Sequence, residues 1–211
     1  MEIIDISMPV KGSMVCWEDK FPPEIVQYGF LSKGDLSNAS YMKADLHVGT
    51  HVDAPYHFLP QGKKLEQLNL TSFIGECYVA EISGSVISGA ALDAANIPQT
   101  QRLLFKTSNH QLYEQKKFSK NYVALDETGA QWLAQRQVVL AGVDYLSVEL
   151  YHNQTFPAHR ILLQRDVVLL EGLYLKHVQP GRYFLSALPV RVEGVEAAPV
   201  RAVLLPHNVV R

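Results

Sequence analysis

Residues 47 to 57 read His-Val-Gly-Thr-His-Val-Asp-Ala-Pro-Tyr-His, so four side chains able to bind metal or move a proton (His47, His51, Asp53 and His57) fall within eleven positions. All four carry odd numbers. In an extended chain successive side chains alternate between faces, which puts these four on one side. A helix does not. His47 and His51 would share a helical face, but Asp53 would point ~200° away from His51 at ~100° per residue. Gly49, Thr50 and Pro55 also oppose a helix through backbone entropy, β-branching and a missing donor. The segment is read as an extended strand or loop with one dense polar face.

Gathering imidazoles and a carboxylate is unfavourable unless something binds between them. A divalent metal is the natural occupant, because neutral imidazole and carboxylate are ligands that zinc, manganese and iron accept. A His-rich surface loop, or a core histidine satisfied by a backbone carbonyl, accounts for one such residue more readily than for four in phase.

At 211 residues the chain fits one domain. Its 47% hydrophobic and 19% charged composition is that of a soluble globular protein, and a net charge of -2 without a basic run excludes nucleic acid and anionic membrane as partners. A small-molecule substrate is expected. The first five residues hold two acids, Glu2 and Asp5, and no basic region precedes a long apolar run, so neither a signal peptide nor a membrane span is expected and the cytoplasm is the expected location. Cys16 and Cys77 are far apart and read as reduced thiols. Neither GxGxxG nor GxxxxGK[ST] occurs, which removes nucleotide chemistry.

Strands are expected at Glu2–Ser7, Glu76–Ile82, Arg102–Lys106, Tyr122–Leu125, Val138–Val143, Val167–Leu170, Tyr183–Pro189 and Ala202–Leu205. Helical segments are expected at Leu65–Phe73, from Ile87 through Ala95, at Gly129–Gln137 with Thr128 as cap, and at Ala158–Gln164. The continuous apolar run Val138–Val143 has the character of a strand covered on both faces. Strands and helices alternate in the second half, which makes the class mixed α/β.

Among the remaining histidines, His110, His152, His177 and His207 lie near expected turns and ends and read as exposed or hydrogen-bonded. His159 opens a helix whose successor strand ends in Glu171. A carboxylate adjoining an apolar run must be paired, liganded or at a strand end facing water. His51, Asp53 and His159 also have the outline of the two-histidine, one-carboxylate triad of an iron oxygenase, although that reading leaves His47, His57 and Glu171 without roles. A non-catalytic metal- or ligand-binding module is a third reading.

The string His47-x-Gly49-Thr50-His51-x-Asp53-x-Pro55-x-His57 resembles the signature of the cyclase family of metal-dependent hydrolases, which includes bacterial kynurenine formamidases and isatin hydrolases. Further blocks follow in the same order: Gly142 to Glu149, His159-Arg160, Glu171-Gly172-Leu173, Leu188-Pro189 and Ala198 to Ala202. The resemblance implies a single-domain swivelling β/β/α fold over residues 1–211. It also implies metal-dependent cleavage of an amide-like C–N bond, in an arylformamide, lactam or cyclic amide, and a homodimer or homotetramer. Carried over by position, His47, His51 and Asp53 hold one divalent ion, and Asp53, His159 and Glu171 hold a second, zinc or manganese. His57 matches the acid/base position and Trp17 the aromatic that faces the substrate ring.

Overall fold

The computed structural model describes residues 2–18, 20–115 and 117–207. Its frame is a nine-stranded sheet. The strands are β1 (Ile4–Asp5), β4 (His51–Asp53), β5 (Ile74–Glu81), β6 (Arg102–Lys106), β7 (Leu140–Val143), β8 (Val168–Glu171), β9 (Gly181–Ser186), β10 (Ala197–Pro199) and β11 (Val203–Pro206). Their order is β1-β11-β9-β5-β6-β7-β8-β4-β10. The centre, β5 to β8, is parallel, and both flanks are antiparallel. β2 (Glu24–Gly29) and β3 (Ala39–Lys43) form a separate two-stranded hairpin.

Alternation along the central strands divides the interior into two cores. Leu103, Phe105, Ala141, Val143 and Leu169 face the helices α1 (Gly89–Ala94), α3 (Glu127–Gln135) and α4 (Pro157–Leu163), meeting Leu92, Leu133 and Leu162. Leu104, Leu140, Val168 and Leu170 point the other way. That second core also gathers Ile6 and Leu204 from one end of the sheet and Val52 and Ala198 from the other, so the sheet curls around it. A fourth helix, α2 (His110–Glu114), follows β6. Among the described residues no helix is long and apolar enough to cross a membrane, and both cysteines are unpaired.

The mixed α/β expectation holds, with local corrections. Tyr122–Leu125 is not a strand: only Leu125 bridges, to Ile87 and Glu149, because this stretch threads between loops and not beside a full strand. Leu65–Phe73 contains two single 3-10 turns, Leu65–Gln67 and Leu70–Ser72, in place of a continuous helix. Helix α3 is capped by Asp126, whose carboxylate accepts from the Gly129 amide, while the Thr128 hydroxyl donates to Asp126 and accepts from the Gly89 amide. It ends at Gln135, since Gln137 adopts φ 57, a left-handed stop. The strand expected to reach Pro189 stops at Ser186. The β2–β3 hairpin and β10 were not anticipated. Pairing of β10 with β4 is what buries the motif strand on both edges, with Ala197 opposite Asp53 and Pro199 opposite His51.

Candidate metal centre and its cavity

Only part of the 47–57 motif is a strand. His51 and Asp53 lie two residues apart on β4 and so share one face, as period two requires. His47 reaches that face through a turn at Gly49 (φ +64), and His57 through a 3-10 turn, Pro55–His57, in which Pro55 presets the backbone. The turn at Gly49 is locked from outside. A Cβ on Gly172 (φ +72) would stand 2.0 Å from the Gly49 carbonyl, so the two glycines permit the contact that draws β4 against the end of β8. Thr50 fixes the junction: its hydroxyl donates to the Gly172 carbonyl at 2.6 Å and accepts from the Met8 amide at 2.8 Å.

Antiparallel pairing of β4 with β8 then sets His51 directly opposite Glu171. His159 arrives from the first turns of α4. All six residues taken from the sequence as ligands or acid/base group converge. His47 Nδ1 lies 3.0 Å from Asp53 Oδ1, His51 Nε2 3.6 Å from Asp53 Oδ1 and 3.4 Å from Glu171 Oε2. His57 Nε2 is 3.9 Å from Asp53 Oδ2, and His159 Nε2 is 4.0 Å from Asp53 Oδ2 and 3.5 Å from Glu171 Oε1. Asp53 is the hub. Two triads have ligand atoms mutually within 4.8 Å, His47 with Asp53 and His57, and His51 with Asp53 and Glu171, and Asp53 belongs to both. The structure thus groups His57 with His47, and it places His159 one step outside the tighter His51 triad.

The polar bookkeeping is incomplete without a cation. Asp53 is fully buried, yet neither carboxylate oxygen has a hydrogen bond, and His51 Nε2 is likewise unpartnered. Buried polar atoms are ordinarily satisfied, and four imidazoles with two carboxylates form a donor set suited to zinc or manganese. The residues fit a divalent metal.

Protonation follows the same geometry. Burial opposes a charge on His47, but Asp53 beside it prevails and raises its pKa to about 9. Burial likewise opposes charge on His159, and Glu149 and Glu171 overcome it, again to about 9. Asp53, despite full burial, is held well below the usual carboxylate range by the surrounding imidazoles, His47 foremost. His57 moves the other way: burial lowers its pKa, and His47 and His159 add repulsion that Asp53 does not cancel.

Outer contacts also separate the four histidines. The Gly49 carbonyl accepts from His51 Nδ1 (3.1 Å), Glu149 stands 3.4 Å from His159 Nδ1, and Glu196 stands 3.6 Å from His47 Nε2. His57 contacts Asp53 through Nε2, and its Nδ1 meets no hydrogen-bond partner among the described residues. Glu149 and Glu196 were missed by sequence reasoning. Glu149 left a faint signal as an acid within the buried stretch Ser147–Glu149, whereas Glu196 left none.

A cavity of about 250 Å³ opens over this cluster. The imidazoles and Glu171 form its floor, and Val15, Trp17, Phe21, Leu146, Tyr151 and Phe156 form apolar walls. Trp17 lies in the wall, packed on Phe118 (4.8 Å between ring centroids) and Tyr151 (5.7 Å). At the rim Asp45 accepts from the His47 amide at 2.9 Å and pairs with Lys20 at 2.9 Å, which steadies the loop that carries His47. His110 is hydrogen-bonded to the Thr107 carbonyl and His207 paired with Glu76 at the surface, both away from the cluster.

The model of the family described as "Putative cyclase" matches residues 4–150. The chain is 35% identical to Cyclase-like protein 3 of Oryza sativa, over 96% of this chain and 79% of the rice protein. It is also 35% identical to the kynurenine formamidase of Salinibacter ruber, over 97% of each chain. A structure described as a predicted metal-dependent hydrolase from Bacillus stearothermophilus superposes with a TM-score of 0.83 at 28% identity, covering 96% of this chain and 97% of that one. An isatin hydrolase shares the fold, with a TM-score of 0.83 at 18% identity over 97% of this chain and 92% of that one. With the family model spanning most of the chain and full-length relatives at this identity, the protein belongs to the cyclase family.

Proposed function

We propose that the chain is a metal-dependent hydrolase that cleaves an amide-like C–N bond in a small arylformamide, lactam or cyclic amide. One observation carries this reading: the carboxylate of Asp53, buried with neither oxygen hydrogen-bonded, stands among four imidazoles and Glu171, and those five residues line an apolar-walled cavity. His47, His51 and Asp53 would hold one ion, and Asp53, His159 and Glu171 a second, with zinc as the first candidate and manganese the next. Bound metal supplies a water of near-neutral pKa and polarises the scissile carbonyl.

The chain's own residues do the rest. Val15, Trp17 and Tyr151 exclude water and offer flat apolar surface to a ring. His57, with its lowered pKa and open Nδ1, is neutral near pH 7 and can take a proton from the attacking water. As the C–N bond breaks, His57 returns that proton to the departing nitrogen, which is too basic to leave as an anion. The products are a carboxylate and an amine, joined in one molecule when the substrate is cyclic.

The kinship with the Salinibacter ruber kynurenine formamidase supports the reaction class, and the aromatic wall supports a ring-bearing substrate. An iron oxygenase built on His51, Asp53 and His159 is disfavoured, since His47, His57 and Glu171 stand in the same cluster and the sheet has a parallel α/β centre. A non-catalytic module is disfavoured by the position of His57. The chain would act as one domain in the cytoplasm, as a homodimer or homotetramer. Exposed Ile25, Tyr28, Tyr41 and Met42 on the hairpin support association. The test is to assay N-formylkynurenine and isatin side by side with the metal-loaded protein, expecting release of acid and amine from at least one. Metal binding without turnover across N-formyl, lactam and cyclic-imide substrates would favour the binding module.

A further inference from the structure

Glu149 is a buried carboxylate that the hydrolytic steps above do not use. It lies on the loop between β7 and α4, and its two oxygens meet four donors. Oε1 accepts from Asn153 Nδ2 at 3.0 Å, and Oε2 accepts from the amides of Ala158 (2.9 Å) and His159 (3.2 Å), with His159 Nδ1 at 3.4 Å. A carboxylate only accepts. The proton of the neutral His159 ring therefore belongs on Nδ1, which leaves the Nε2 lone pair facing Asp53 and Glu171. The preceding residue acts on the neighbouring ligand. The Val148 amide donates to Glu171 Oε1 at 2.7 Å, so consecutive residues hold His159 and Glu171 from behind.

The same carboxylate compensates for a local defect. Phe156 sits at φ 51 and provides no side-chain cap to α4, and Pro157 has no amide hydrogen, so the first free amides of the helix turn to Glu149.

We infer that Glu149 is the positioning residue of the metal centre: it fixes the ring orientation and tautomer of His159 while anchoring the start of α4. This rests on the hydrolase reading above, and it predicts an effect on metal affinity separate from the effect on folding. Outer carboxylate partners of ligand histidines typically change metal affinity by roughly 10- to 100-fold when removed.

The test compares the wild-type chain with Glu149→Gln and Glu149→Ala. For each, the zinc dissociation constants are measured by chelator competition, and the melting temperature of the metal-free protein is recorded. Gln keeps an acceptor for the helix amides but lacks the charge. The expected result is at least one zinc held about tenfold more weakly in Glu149→Gln with a near-native metal-free melting temperature, and a larger loss in Glu149→Ala. Unchanged zinc affinity in Glu149→Gln, or losses that only track the metal-free melting temperature, would overturn the inference while leaving the hydrolase reading intact. A wild-type chain that takes up no zinc and no manganese would overturn both.

Discussion

At the residue scale, Asp53 and His57 divide the work of one motif. Asp53 has no exposure and no hydrogen bond on either oxygen, which suits a metal ligand, while His57 lines the cavity with Nε2 toward Asp53. His57→Ala is expected to keep its metal content and lose turnover by about 10²- to 10⁴-fold, whereas His51→Ala should lose metal as well. Elemental analysis beside rate measurements checks this, and a metal-free His57→Ala with a loaded His51→Ala would reverse the roles. Protonation gives an independent reading. His47 and His159 in the metal-free chain have pKa values raised to about 9, so their contribution to stability is complete below pH 6.5 and fades as pH rises through 9. Metal must displace those protons. Calorimetric zinc titrations in buffers of different ionisation enthalpy should show proton release near pH ~7.5 that falls in His47→Ala, and pH-independent release would contradict this reading.

At the element scale, the junction of β4 with β8 carries the site. Gly172→Ala would drive a Cβ against the Gly49 carbonyl at a positive φ, and a loss of at least ~3 kcal/mol is expected, with the metal centre failing alongside. Asp126→Ala removes the cap of α3 and the acceptor of the Thr128 hydroxyl, and should lower stability by ~1 kcal/mol with zinc affinity unchanged. Denaturant unfolding and zinc binding on the two variants separate these cases. Legibility in the sequence follows from the same physics. β6 and β8 were readable because their unbroken apolar runs match burial on both faces. The β2–β3 hairpin was not, because Ile25, Tyr28, Tyr41 and Met42 are exposed and leave no in–out alternation. Ala197–Pro199 lacks β-branched residues, and it is a strand only because β4 offers it an edge.

At the scale of the whole molecule, residues distant in sequence reach one cavity because the sheet curls and the β7–α4 loop returns over its end. The candidates within residues 47–57 were legible as a cluster, but period two accounts only for His51 and Asp53; His47 and His57 reach the same face through turns that spacing did not reveal. His159 and Glu171 required the family resemblance, because only the register of β4 against β8 and the start of α4 place them beside Asp53. Glu149 and Glu196 depend wholly on how loops pack against the imidazoles.

The account stands on a metal centred at Asp53 that the hydrolysis needs. The most direct measurement counts ions per chain while following amide hydrolysis, in the wild type and in Asp53→Ala, during chelation and zinc or manganese readdition. Two ions per wild-type chain, activity that falls and returns with them, and an Asp53→Ala variant lacking both are the predicted result. Full wild-type hydrolysis without metal, or an Asp53→Ala variant that keeps both ions, would contradict it.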